Sequence, residues 1–396
     1  MSTALPSAPG SGRLASLDAL RGLDMFWIMG GSSIVGALAK DTRNDTMRAI
    51  AEQFNHVPWA GFHLIDLVFP LFLFMIGVAV PFSFAKRLAR GDGKWRIHAH
   101  VVTRVAILVF LGMMVNGNLL TVDRSKFQLT YSVLQMLALG YLVASVLFLN
   151  LRIAWQIVAT VVMLATYWAL LAFVPLPEGH QLGVFREQGN FGDWLNDWIL
   201  GDLQGPWRFG WILGILGHAS TAMLGVFAGQ LLRSSLTGAR KVFWLVALGV
   251  GCLAAALVWC GWVAEQWPGI ALSGKDWSEW PIWFPVIKNR WTSTFALYAG
   301  GWSFLLLALF YLVIDVWGLR RWAFPFAVIG ANSIFAYMAW QLGNSAFHRV
   351  SEVFLGGLKH FESVAPWHEA ILWAGATAAL WILLCYMYRN KTFVRA

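Results

Sequence analysis

Ten mostly apolar stretches run through this chain, each long enough to cross a hydrocarbon layer of about 30 Å as a helix. They lie near 17–38, 62–84, 97–119, 128–149, 153–174, 209–232, 241–264, 291–315, 322–345 and 367–388. Lipid offers no partner to backbone N–H and C=O groups, so such segments satisfy themselves as helices. The pattern predicts an all-α, polytopic membrane helix bundle with about ten transmembrane helices. Charged residues are 12% of the chain, against about 25% in soluble domains. The 24 tryptophans suit the membrane–water boundary. Cys252, Cys260 and Cys385 all fall in apolar segments, which favours packing over disulfides or a cysteine metal site. Residues 1–14 read as a polar, flexible lead without the apolar stretch of a secretory signal, and 15–396 as one membrane domain.

An even number of spans puts both termini on one side. With the N-terminus inside, the inner segments hold 15 basic residues against one acid, Asp92. The outer segments hold 12 basic and 14 acidic residues. Lys and Arg accumulate on the cytoplasmic side, most densely at 86–96, so both ends are expected inside and His56 outside. The net charge of +9 is dispersed over short loops and is no nucleic-acid footprint. The outer loops 175–208 and 265–290, rich in Trp, Gly, Pro and acids, suit either binding walls or interfacial anchors. No internal repeat is apparent, which weighs against inverted-repeat transporters.

Charges inside spans cost roughly 2.5–3.5 kcal/mol at a helix centre, so each is a functional candidate. Asp66 enters the second span just after His56 in FNHVPWAGFHLIDLVFP. An imidazole beside a carboxylate suits acid–base chemistry. His63 lies three residues before Asp66, so spacing leaves His56 and His63 both open as the base. Asp18, Arg21 and Asp24 recur every three residues in SLDALRGLDMFW and share a helix face, as scaffold or as site. His218 sits among Gly, Ala and Ser, where a hydrogen-bonded structural histidine is the simpler reading. Lys288, Asn289 and Arg290 stand just outside the eighth span, placed to snorkel or to bind an anion. Asn332 is mid-span, as interhelical glue or ligand contact. Phosphate-loop, Rossmann, serine-hydrolase and HExxH signatures are absent, and no metal is expected.

Five segments stand in the order found in a known family: SLDALRG, HVPWAGFHLIDLVFPLFLFMIG, YSVLQMLALGY, PVIKNRWTSTFAL and GANSIFAY. The chain resembles a bacterial member of the transmembrane acyltransferases related to heparan-α-glucosaminide N-acetyltransferase. The resemblance implies a multi-pass inner-membrane protein, a homodimer, that moves acetyl from acetyl-CoA to the amino group of glucosamine or a related amino sugar. It places the family's active-site histidine on His56, its motif aspartate on Asp66 and its Lys-Asn pair on Lys288 and Asn289. The chain departs from the pattern at Ala60, where the family has Asn, and near Ser32, where eukaryotic members have Asn. RFGW replaces an Asp-Pro-Glu-Gly motif, and Asp24 replaces an apolar residue. The histidine survives these changes, and the acceptor sugar stays open.

On this reading acetyl-CoA enters from the cytoplasm, its phosphates held by Arg21, Arg104 or the basic 86–96 loop. His56 removes a proton from the sugar amine, and the amine attacks the thioester directly. Asp66 or Asp24 holds the imidazole tautomer or binds the ammonium, and Asn289 or Asn332 donates to the oxyanion. A permease for amino sugars would use Asp24, Asp66 and His56 as a proton relay. An O-acyltransferase of a surface glycan would share the donor but prefer hydroxyl acceptors.

Overall fold

A computed structural model describes residues 14–40, 45–116, 133–174, 190–203, 211–261 and 284–394. The N-terminal lead, most of the outer loop at 175–208 and residues 265–283 of the other lie outside these. The described chain is helical: α1 (Ala15–Phe26), α2 (Ser32–Lys40), α3 (Asp45–Glu52), α4 (Val68–Leu88), α5 (Lys94–Val115), α6 (Val133–Asn150) and α7 (Ile153–Phe173). There follow α8 (Phe191–Leu200), α9 (Trp211–Arg233), α10 (Gly238–Trp259), α11 (Ser293–Phe310), α12 (Phe324–Ala331), α13 (Ser333–Leu355) and α14 (His368–Arg389). Among the described residues, nine helical stretches are long and apolar enough to cross a membrane.

The tenth expected span, 322–345, is where the structure differs. Its helix breaks at Asn332, whose φ of −127° and ψ of 37° separate α12 from α13. A break frees backbone groups that lipid cannot satisfy. The buried Asn332 side chain turns to the C-terminal tail instead: Nδ2 donates to the Thr392 carbonyl (3.0 Å), and Oδ1 accepts from the Val394 amide (2.9 Å). The first span is also irregular. A π-helical turn, Trp27–Gly31, joins α1 to α2, with Gly30 at φ 121°, a conformation that glycine alone adopts without strain. Carbonyls loosened by that turn find hydroxyl donors, Thr377 on Met29 (2.9 Å) and Ser32 on Trp27 (3.1 Å).

The chain divides into two compact units. Unit 1 comprises Met1–His56, His63–Val68 and Leu306–Ala396. In it α1 packs along α12, and α14 packs against α13 and α2. Reciprocal glycines set the first contact: a Cβ on Gly22 would collide with the Phe326 carbonyl, and one on Gly330 with the Asp18 carbonyl. Asp315 accepts from the Ser16 amide at the start of α1 (3.2 Å), where a helix favours negative charge.

Unit 2 comprises Val57–Phe62 and Phe69–Leu305. Here α9 packs on α6 and α7, and α6 on α5. The pairing of α4 with α9 is again backbone to backbone. A Cβ on Gly77 would strike the Ala222 carbonyl, while Gly225 and Gly229 lie against the carbonyls of Phe74 and Val78. Apolar side chains gain little from leaving lipid for protein, so close dispersion contact between small residues must hold these helices. Replacing Gly225 with Leu is expected to abolish the monodisperse peak of the detergent-extracted protein in size-exclusion chromatography. Gly251→Leu, at a position with open space around its Cα, should leave that peak intact.

Candidate functional site

Unit 1 contains a histidine–carboxylate pair assembled by one short turn. His63 is extended (φ −108°, ψ 165°) and begins a 3₁₀ turn, Leu64–Leu67, that feeds α4. Asp66, within that turn, is fully buried, and its Oδ2 accepts from the His63 amide (3.0 Å). Its Oδ1 lies 2.8 Å from His56 Nδ1. Two further clips hold the strands of this loop together: the Ile65 amide donates to the Gln53 carbonyl (3.0 Å), and His63 Nδ1 to the Asn55 carbonyl (2.7 Å). Phe54 stacks against Trp27 of the π-helical turn (centroids 4.5 Å apart), which ties the loop to the first span.

The two members of the pair have opposite surroundings. The Asp66 side chain is 1% exposed and that of His56 is 60% exposed. A buried carboxylate facing Nδ1 selects the tautomer with its proton there. The lone pair of the neutral ring is then on Nε2, where a base needs it. Helical spacing put His63 on the face of Asp66, but residue 63 is not helical. Asp66 therefore takes the His63 backbone amide, and the His63 ring turns to Asn55. Asp66 orients His56.

The other expected residues of unit 1 are placed separately. Arg21 pairs with Asp18 (3.8 Å) on α1. Asp24 is 2% exposed, and its Oδ2 is buried without a hydrogen-bond partner. No hydrogen bond or ion pair among the described residues joins it to His56 or Asp66. Both ends of the Asn332 amide are engaged by the C-terminal tail.

In unit 2 the loop after His56 meets the turn carrying Lys288 and Asn289. The Gly61 amide donates to the Val286 carbonyl (2.9 Å), Ala60 forms an antiparallel bridge with Ile287, and Trp59 lies 5.5 Å from the Arg290 guanidinium. Lys288 and Asn289 are half-buried on this turn. Trp291, at a left-handed φ of 52°, is locked by an indole hydrogen bond to Thr221 (3.0 Å) and a stack on His218 (4.3 Å). His218 directs Nδ1 to the Gly214 carbonyl.

Under the turn, Arg290 and Asp193 form a two-point ion pair, 2.6 and 2.9 Å, with side chains only 3% and 4% exposed. The Tyr167 hydroxyl donates to the Arg290 carbonyl. Asp193 was not singled out from sequence, because its partner is 97 residues away. Its only local signal is the cap that Asn190 forms on the first turn of α8. Arg104, on α5, covers the Tyr141 ring at 4.7 Å. Among the described residues no cluster of three or more His, Cys, Asp or Glu is placed to hold a metal ion.

A family described as a domain of unknown function (DUF5009) matches residues 13–188. The human heparan-alpha-glucosaminide N-acetyltransferase is 27% identical over 395 residues, covering 86% of this chain and 55% of its own. The mouse protein of the same name is 25% identical over 394 residues, covering 86% and 56%. The chain thus spans about half the length of the curated relatives it matches. Its apolar helices and these relatives define a multi-pass membrane protein. The chain is similar to both heparan-alpha-glucosaminide N-acetyltransferases over most of its length.

The buried ion pair makes a stability prediction. Removing one partner of such a pair costs about 3–5 kcal/mol, because a buried charge is left alone. Asp193→Asn and Arg290→Met should each lower the thermal unfolding midpoint in detergent, and the double variant should recover part of the loss.

Proposed function

We propose that this chain is a membrane N-acetyltransferase that moves acetyl from acetyl-CoA to the amino group of glucosamine or a related amino sugar. The single observation that carries the reading is the 2.8 Å contact between an exposed imidazole and a buried carboxylate. The relatives' names supply the reaction class. The setting proposed is a bacterial inner membrane, with both termini cytoplasmic, a periplasmic acceptor and a homodimer.

An ammonium has no lone pair with which to attack a thioester. The sugar therefore reacts as the neutral amine, its ammonium proton having passed to water, and His56 Nε2 accepts a second proton from the nitrogen as it adds to the thioester carbonyl. The tetrahedral adduct then collapses, the C–S bond breaks, and the leaving thiolate takes the proton back from the imidazolium. Asp66 keeps Nδ1 protonated and stabilises the imidazolium as it forms. Transfer is direct, since no step requires a covalent enzyme intermediate. Lys288 and Asn289 are the proposed ligand contacts of unit 2. Arg21 is a cation for the donor, and Asp24 is a counter-charge for the sugar ammonium. Asn332 is assigned to clasping the broken helix, because its amide is already engaged at both ends.

The buried, unsatisfied Oδ2 of Asp24 favours a second reading, a permease that carries an amino sugar with a proton. Thiol release separates the two. Full-length protein is incubated with acetyl-CoA and glucosamine, N-acetylglucosamine or no sugar. Glucosamine-dependent release is expected, with His56→Ala and Asp66→Asn each lowering it by about 10²–10⁴-fold in protein that still elutes as a single species. Equal release with N-acetylglucosamine would mean a hydroxyl acceptor. Saturable sugar uptake into proteoliposomes without thiol release would mean the permease.

A further inference from the structure

Within unit 2, one face of α9 seats the Lys288–Trp291 turn and holds a histidine that the proposed chemistry at His56 does not use. Gly214, Gly217, His218 and Thr221 recur at helical spacing and share that face. A Cβ on Gly217 would collide with the Trp291 carbonyl, so the turn lies directly on the helix there. The Trp291 amide on the Lys288 carbonyl (2.9 Å) and the Thr292 amide on the Ile287 carbonyl (3.2 Å) close the turn. The indole of Trp291, pinned by Thr221 (3.0 Å), covers one face of the His218 ring at 4.3 Å, with 29° between the planes. Phe69 of α4 stands 6.1 Å from the same imidazole.

The ring is therefore held in one orientation, and its two nitrogens differ. Nδ1 faces the Gly214 carbonyl, which can only accept, so Nδ1 carries the proton. In the neutral ring the lone pair is then on Nε2. His218 is 5% exposed, and Nε2 is buried with no hydrogen-bond partner among the described residues. A role in packing beneath Trp291 needs only a flat ring, and a phenyl group would fill it without a buried lone pair. Buried polar atoms nearly always have a partner, so this one calls for a donor.

The neighbourhood narrows the choice of donor. A Cβ on Gly214 would lie 3.3 Å from His218 Cε1 and 4.0 Å from the Arg290 carbonyl, which sets the imidazole against the turn that carries Lys288 and Asn289. The Arg290 carbonyl is itself an acceptor, and it takes the Tyr167 hydroxyl. Asp193 under the same turn is committed to Arg290 at two points. A neutral donor suits these surroundings better than an ammonium, and the neutral donors of an amino sugar are its hydroxyls.

We propose that His218 Nε2 accepts a hydrogen bond from a ring hydroxyl of a sugar seated in unit 2 against the Lys288–Trp291 turn, which makes His218 a specificity-determining residue. The identity of the donor as a sugar hydroxyl rests on the amino-sugar reading above. A site built to pair one hydroxyl discriminates against the analogue that lacks it.

The test uses the full-length protein in nanodiscs, titrated calorimetrically with glucosamine and with its 3-, 4- and 6-deoxy analogues. His218→Phe keeps a ring beneath Trp291 and removes the acceptor, while His218→Gln returns an acceptor on the amide carbonyl. Unfolding midpoints are read for both. In wild type one deoxy analogue is expected to bind about three- to tenfold more weakly than glucosamine. In His218→Phe glucosamine should fall to the level of that analogue and the difference between the two should vanish, with His218→Gln recovering part of it. The KM for glucosamine should rise by a similar factor in His218→Phe with kcat little changed.

Wild-type glucosamine binding in His218→Phe, or a deoxy penalty that persists in it, would overturn the inference. So would deoxy analogues that all bind wild type as glucosamine does. An equal loss for every sugar in both variants, with lowered unfolding midpoints, would make His218 structural and also overturn it. Glucosamine-dependent thiol release unaffected by His218→Phe would remove the inference and keep the acetyltransferase reading. A deoxy penalty that depends on His218 without thiol release would keep the inference and remove that reading. Wild type that neither binds glucosamine nor releases thiol would remove both.

Discussion

A hydrocarbon layer contains no water to satisfy a stray polar group, and most of the local detail in this protein follows from that. Asn332 breaks a span and clasps the C-terminal tail with both ends of its amide. The π-helical turn loosens carbonyls that Thr377 and Ser32 recover. Arg290 and Asp193 neutralise each other at two points. Against this background the unsatisfied groups stand out. Asp24 Oδ2 in unit 1 is buried with no hydrogen-bond partner among the described residues.

The same solvent explains how the helices are held. Apolar side chains gain little by exchanging lipid for protein, so attraction comes from close dispersion contact. Gly22 with Gly330, and Gly77 with Gly225 and Gly229, bring backbones together where any Cβ would collide with a carbonyl. Rigid pairing of this kind gives the short loops fixed anchors. Within unit 1, the turn that holds His56 against Asp66 is itself fixed by the Ile65 amide on the Gln53 carbonyl and by His63 Nδ1 on the Asn55 carbonyl.

Much of the fold was legible. Nine of the ten expected spans have a counterpart among the apolar helices, since span length and composition are local properties. The tenth was visible as apolar sequence, but its break was not. Nothing near Asn332 announces it, and its partners are 60 and 62 residues downstream. Asp66 was conspicuous as an acid inside a span. Its partner was ambiguous, because helical periodicity pointed to His63 while the backbone there is extended. Asp193 was hidden in a tryptophan-rich outer loop.

By itself the sequence determined the solvent, the secondary structure and the kinds of groups placed in lipid. Those depend on the hydropathy and length of contiguous segments. Tertiary structure decided which of those groups meet. It gave Asp66 to His56, committed Asn332 to the tail, buried Arg290 against Asp193 and set Arg104 over Tyr141. The physical reason is that a hydrogen bond or ion pair acts over only a few ångströms. Such distances between remote residues are set by how helices pack, and no local pattern in the chain encodes them.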